Sequence, residues 1–176
     1  MKLLSELVST DGKNSSMRIS GLASDSRNVL PGFLFAAFSG TRTDGVKFIP
    51  DAIKRGAVAV LAQHGTIINS QKALLITDEN PRHKFAEIAS RFYCSQPEWV
   101  AAVTGTNGKT SVANFALQIW SKIGLKSAVL GTLGVRSSLG ESGLTLTTPD
   151  SITLHKELAS LASAGINRAV IEASSH

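Results

Sequence analysis

Leu3, Leu4, Leu7 and Val8 fall on one helical face and predict a short opening helix. Two strand-like runs follow, Arg18 to Ala23 and Gly32 to Phe38, separated by the polar segment Ser24-Asp25-Ser26-Arg27 and the turn pair Pro31-Gly32. Phe48 to Arg55 predicts a helix that Gly56 ends, and Ala57 to Leu61 and Ala73 to Thr77 predict strands. Asn80-Pro81 opens another helix in the manner of an N-cap and first-turn proline, with Phe85, Ile88, Ala89 and Phe92 at helical spacing. The segment Cys94-Ser95-Gln96-Pro97-Glu98 reads as a linker, giving a mixed α/β domain over 1–97 and a second region over 98–176.

The second region starts with a strand at Val100 to Val103. Val112, Phe115, Ala116, Ile119, Trp120 and Ile123 then keep the spacing of an amphipathic helix that Gly124 stops. Ser127 to Leu130 predicts a strand, residues 132–147 a Gly/Ser-rich excursion, Ser151 to Ala164 a helix and Ala169 to Glu172 a strand. Strand and helix alternation predicts an α/β fold: a small mixed α/β domain, then the first part of a P-loop domain with a parallel sheet.

Composition adds constraints. The 176 residues are 43% hydrophobic and 18% charged, which suits a folded protein and excludes disorder. The net charge of +5 is spread along the chain, so it favours anionic ligands without the basic cluster or interleaved aromatics of a nucleic-acid binder. A single cysteine, Cys94, excludes an internal disulfide and a Cys-rich zinc site and points to the cytosol, with the thiol expected buried. Glu6 interrupts the first apolar run too early for a signal peptide and no run reaches membrane length, so neither export nor embedding is expected. Trp99 and Trp120 are expected in the core or at a hinge, and His64, His83 and His155, without ligand spacing, at the surface.

The chemistry concentrates in Gly105-Thr106-Asn107-Gly108-Lys109-Thr110, between a predicted strand and a predicted helix. Glycines let successive N–H groups and the helix N-terminus close on phosphate oxygens, Lys109 would neutralise them, and the Thr110 hydroxyl suits Mg²⁺. Only the short form G-x-x-G-K-[ST] is present, because Val103 stands where the longer pattern has its first glycine. Glu172 ends an apolar strand, where ligands gather in open α/β sheets, and could complete a magnesium shell; a surface pair or a helix cap is its alternative role. Thr147-Thr148-Pro149-Asp150 reads as a helix start, and Ser24-Asp25-Ser26-Arg27 as an Asx-type turn or a local ion pair.

The run Val103 to Thr110, then Thr147 to Asp150, then Glu172-Ala173-Ser174-Ser175-His176 resembles the ATP-dependent Mur ligases of peptidoglycan synthesis, in particular the type that adds the third amino acid to UDP-N-acetylmuramoyl-L-alanyl-D-glutamate. Ser24 to Arg27, Pro31 to Ala37, Gly40, Asp44-Gly45, Phe48-Ile49, Ala52-Ile53 and Gly56-Ala57 resemble that family's UDP-binding domain. Phe33, Ala173 and Ser111 depart from its frequent Asp, Val and Thr. The resemblance implies a cytoplasmic, monomeric enzyme using ATP and Mg²⁺, with UDP-MurNAc-L-Ala-D-Glu and meso-diaminopimelate or L-lysine as substrates and no nucleic-acid or membrane partner. It implies further that this chain holds the first domain and only the beginning of the ATP-binding domain, without the amino-acid-selecting domain, and is inactive alone. By the same resemblance Gly105, Thr106, Asn107, Gly108, Lys109, Thr110 and Ser111 would hold ATP, with Lys109 and Glu172 catalytic and Thr110 and Glu172 on the metal. Thr147, Thr148 and Ser174 would hold the muramoyl peptide, and Ser24, Ser26, Thr41, Arg42 and Thr43 the uridine diphosphate. The D-Ala-D-Ala-adding ligase and a non-catalytic nucleotide-binding module are the alternatives; folylpolyglutamate synthases share the loop but lack the preceding domain.

Overall fold

A computed structural model describes residues 1–9, 15–40, 44–138, 140–142 and 149–173. It divides into two compact units, Met1–Phe92 and Tyr93–His176.

In the first unit β1 (Lys2–Leu3) pairs antiparallel with β2 (Arg18–Ile19), and α1 (Leu4–Leu7) buries Leu4 and Leu7. The main sheet is parallel throughout, in the order β3 (Gly21–Ala23), β4 (Phe33–Ala36), β5 (Ala59–Gln63), β6 (Leu74–Asp78). Parallel strands need crossovers, and β5 follows α2 (Ile49–Lys54). Phe35, Val60, Ile49 and Ala52 form the centre of one core cluster. Asn80 accepts the N–H of His83 at 3.2 Å and caps α3 (Pro81–Tyr93), whose first position is the proline the sequence predicts there.

The second unit has a five-stranded sheet in the order β10 (Gly140–Ser142), β9 (Gly134–Ser137), β8 (Ser127–Gly131), β11 (Arg168–Glu172), β7 (Trp99–Val103). β8, β11 and β7 are parallel, while β9 and β10 run antiparallel. Part of the Gly/Ser-rich excursion is therefore a hairpin: Gly134, at φ 92, permits a reversal straight after β8, and Val135 is buried in the core. α4 (Lys109–Lys122) and α5 (Ser151–Ser163) complete the unit, and Asp150 caps α5 by accepting the Thr153 N–H at 2.8 Å.

Three expectations are overturned. α4 lies on the sheet through Ala113, Ala116, Leu117 and Trp120, which pack with Val129 and Val170, while Val112, Phe115, Ile119 and Ile123 are more than half exposed. Among the described residues β7 is an edge strand of this sheet. Trp99 lies on β7, 64% exposed, with the Arg168 guanidinium 5.4 Å from its ring centre, so a core placement does not hold for it, whereas Trp120 packs against the core cluster. Cys94 is exposed and takes the left-handed conformation, φ 48, immediately after α3. Among the described residues no helix is long and apolar enough to cross a membrane.

Candidate functional site

Parallel pairing brings three strand ends of the second unit to one place. Glu172 of β11 is in register with Val103 of β7, and Ile171 with Leu130 of β8, so Glu172 lies level with Gly131. The Ala173 N–H donates to the Val103 carbonyl at 2.9 Å and prolongs the contact by one residue. From Val103 the chain runs through an exposed turn and enters α4 at Lys109. Gly105 at φ 143 and Gly108 at φ 80 occupy the left-handed side of the map, where a side chain would be strained. Gly108 is also the N-cap and offers no side-chain acceptor, leaving the first amides of α4 for water or an anion.

The charged and hydroxyl groups face this turn from two elements. Lys109 donates from Nζ to the Gly105 carbonyl at 2.7 Å, which folds the ammonium back over the loop. Thr110 donates from Oγ1 to Glu172 Oε2 at 2.9 Å, across 62 positions of sequence. Glu172 is 3% exposed and, among the described residues, forms no ion pair. Burying a carboxylate without a countercharge is costly, so the site suits a cation. Hydroxyl and carboxylate oxygens are hard ligands of the kind Mg²⁺ prefers, with phosphate oxygens and water filling the remaining positions. No cluster of three or more His, Cys, Asp or Glu exists among the described residues. Thr106, Asn107 and Ser111 are exposed around the turn. One group the sequence did not single out is present: Thr132 donates to the same Glu172 oxygen at 3.4 Å. Its position just beyond an apolar strand is the signal that drew attention to Glu172.

The first unit carries a cavity of about 540 Å³ beyond the carboxyl ends of β3 and β4. Ser24, Asp25, Ser26 and Arg27 line one side, and Phe35, Phe38, Gly45, Phe48 and Arg82 the rest. Ser26 is buried, whereas Ser24 is exposed. Asp25 accepts the backbone N–H of Arg27 at 2.9 Å and its guanidinium at 2.6 Å, so the turn and the ion pair expected of this segment coexist. Hydrogen bonds from the Arg27 side chain and then from its N–H hold the Asp25 carboxyl down at about 2. The Arg82 guanidinium lies 4.7 Å from the Phe38 ring centre, and Phe38 meets Phe85 edge-on at 5.5 Å. Arg82 escapes the sequence reading, and Phe38 is read there only as part of a strand, because they come from separate elements with no motif to link them. A slightly larger cavity of about 580 Å³ is lined by Ile49, Ile53, Ile67, Lys54 and Lys72 among others; Ile49 and Ile53 belong to the residues that resemble the UDP-binding domain. Thr41, Arg42, Thr43, Thr147, Thr148 and Ser174 lie outside the described residues.

Comparison with known proteins follows the same division of the chain. Residues 18–93 match the Mur ligase family, catalytic domain, and residues 103–176 the Mur ligase middle domain. The UDP-N-acetylmuramoyl-L-alanyl-D-glutamate–2,6-diaminopimelate ligase of Brucella melitensis is 48% identical over 165 residues, covering 94% of this chain and 34% of that protein. The protein of the same name from Chelativorans sp. is 50% identical over 162 residues, covering 90% and 32%. A solved structure of a ligase with this name is 27% identical with a TM-score of 0.75, covering 96% of this chain and 34% of its own. The MurF ligase of Thermotoga maritima in complex with ADP shares the fold at 23% identity, with a TM-score of 0.57 and coverage of 90% and 32%. The chain spans about a third of the length of the curated relatives it matches.

Proposed function

The chain belongs to the Mur ligase family, and from that premise we propose that it is the substrate-anchoring and ATP-binding part of a ligase joining 2,6-diaminopimelate to UDP-N-acetylmuramoyl-L-alanyl-D-glutamate. The choice of amino acid rests on the names of relatives 42–50% identical to it. The observation that carries the chemistry is the Thr110–Glu172 pair beside the glycine turn. In this reading the D-glutamyl carboxylate attacks the γ-phosphate of ATP, releasing ADP and forming an acyl phosphate, and the incoming amine then attacks the acyl carbon, loses a proton and expels inorganic phosphate to leave the amide.

Such a transfer needs positioning and charge neutralisation more than covalent help from the protein. Backbone amides from Gly105 to Thr110 bind the phosphates, and Lys109 leaves the Gly105 carbonyl to neutralise the transferring group. Thr110 and Glu172 hold Mg²⁺, which when bound offsets phosphate charge as a Lewis acid. Thr106, Asn107 and Ser111 line the nucleotide. In the first unit Ser26 and Ser24 hold the uridine diphosphate end, with Thr41, Arg42 and Thr43 contributing, while Thr147, Thr148 and Ser174 hold the muramoyl peptide. The protein acts as a cytoplasmic monomer. The 176 residues alone bind both nucleotides without ligating.

Two titrations test this. The chain should bind ATP in a magnesium-dependent way and bind the uridine diphosphate end of UDP-muramoyl dipeptide through residues 1–97; absence of both kinds of binding would remove the proposal. In a chain extended to the length of its relatives, Lys109→Ala should lower ligation by about 10²–10³, the usual loss when one preorganised electrostatic group is removed. An unchanged unfolding curve would assign that loss to the site, and near-wild-type turnover would reject Lys109 as the phosphate-neutralising group.

A further inference from the structure

Glu172 is held from a direction that the glycine turn does not supply. β8 ends at Gly131, pairs Gly131 with Gly134 and turns into β9 through Thr132 and Leu133. Gly131 has no left-handed backbone conformation, so nothing in its own torsion angles calls for glycine. Space does. A Cβ built at Gly131 would overlap Oε1, Cδ and Cγ of Glu172, which means that the carboxylate lies directly on the β8 backbone. The other oxygen, Oε2, receives the Thr110 hydroxyl at 2.9 Å and the Thr132 hydroxyl at 3.4 Å.

The two hydroxyls are not equivalent. Thr110 belongs to the nucleotide turn and has to share its oxygen with a bound cation. Thr132 stands in an exposed turn on another strand, free of that demand. Its bond is long for a hydroxyl donor, and a carboxylate of only 3% exposure has few other donors to replace it.

We infer that Thr132 is a positioning residue for the magnesium site and that Gly131 is the space the Glu172 carboxylate occupies: together they seat Glu172 so that Oε2 faces the nucleotide turn. The inference rests on the proposed role of Thr110 and Glu172 as cation ligands. Groups that orient a metal ligand without touching the metal commonly change metal affinity by 10–100-fold when removed.

The test is a fluorescent-ATP titration of the 176-residue chain in magnesium and in EDTA, read as the ratio of the two affinities. Thr132→Val should reduce the gain conferred by magnesium by about 10–100-fold, while leaving the EDTA affinity at its wild-type value, because the amides and Lys109 are untouched. Thr132→Ser, which keeps the hydroxyl, should retain most of the gain. Gly131→Ala should lose it with Thr132 still in place. A Thr132→Val chain that keeps the full gain overturns the inference, as does Thr132→Ser failing as badly as Thr132→Val, which would make the methyl group rather than the hydroxyl the active feature. A wild-type chain with equal affinity in magnesium and EDTA removes the cation reading and this inference together, whereas a wild-type gain that Thr132→Val preserves removes the inference alone.

Discussion

At Asp25 two hydrogen-bond donors from one neighbour, the guanidinium and the backbone N–H of Arg27, stabilise the charged carboxylate. Its pKa in the folded protein is held at about 2, against about 3.9 for a free aspartate. The folded value is the lower one, so the stabilisation is complete above pH about 4 and is lost as pH falls through about 2. Asp25 and Arg27 are largely solvent-accessible, so the effect on stability is small and the titration itself is the better measurement. A carboxyl-carbon NMR titration should give a midpoint near 2 in the wild type and a return toward the ordinary aspartate value in Arg27→Ala. An unmoved midpoint would assign the low value to the rest of the turn. Ser24 to Arg27 could be recognised in sequence as a turn with an ion pair, because both are local. Phe38, Phe48 and Arg82 could not be connected to it, because only the folded chain brings them around the same cavity.

For α4 the spacing of apolar residues predicts a helix but not the face it buries. Apolar side chains occur on more than one side of it, and the sheet takes the side with small residues, Ala113 and Ala116, that let helix and strands approach closely. Substitutions on the two faces should therefore differ. Ala113→Leu, at a fully buried position, should cost about 1–3 kcal/mol through overpacking, whereas Phe115→Ser, 60% exposed, should stay within about 0.5 kcal/mol. Chemical denaturation of the two variants separates the possibilities, and the reverse order would mean that the exposed stripe is covered in solution. α5 is a simpler case. Asp150 was readable as its cap, and Asp150→Ala should destabilise the second unit by about 1 kcal/mol in the same measurement.

Over the whole chain the two units have separate core clusters, one around Phe35 and Val60 and others around Leu130, Val129 and Val170. Each should then respond to its own core substitutions. Leu34→Ala, at a fully buried position of β4, should lower the stability of the first unit by about 2–5 kcal/mol. Ala113→Leu should affect only the second. Tryptophan fluorescence follows the second unit, since Trp99 and Trp120 both lie in it, and far-UV circular dichroism follows both. A tryptophan transition that shifts with Leu34→Ala would show that the units unfold together.

β1, the β9–β10 hairpin and the division of Arg18 to Ala23 between two sheets were not legible in the chain. The type and order of most other elements were, because they depend on local spacing: helical periodicity, the Asn80-Pro81 and Asp150 starts, the glycine stops and the Gly105–Thr110 turn are all short-range patterns. Glu172 could be marked as a strand-end carboxylate for the same reason. Its partners could not be read in that way. That β11 inserts between β8 and β7, with Glu172 level with Val103 and beside Gly131, is decided by strand pairing across the sheet, as is its meeting with Thr110 and Thr132. Which face of α4 is buried has the same origin, since Ala113, Ala116, Leu117 and Trp120 meet Val129 and Val170 of β8 and β11, two strands that only pairing in the sheet makes neighbours. Local torsion preferences and apolar spacing are written residue by residue, whereas which elements become neighbours depends on how distant segments bury one another's surfaces.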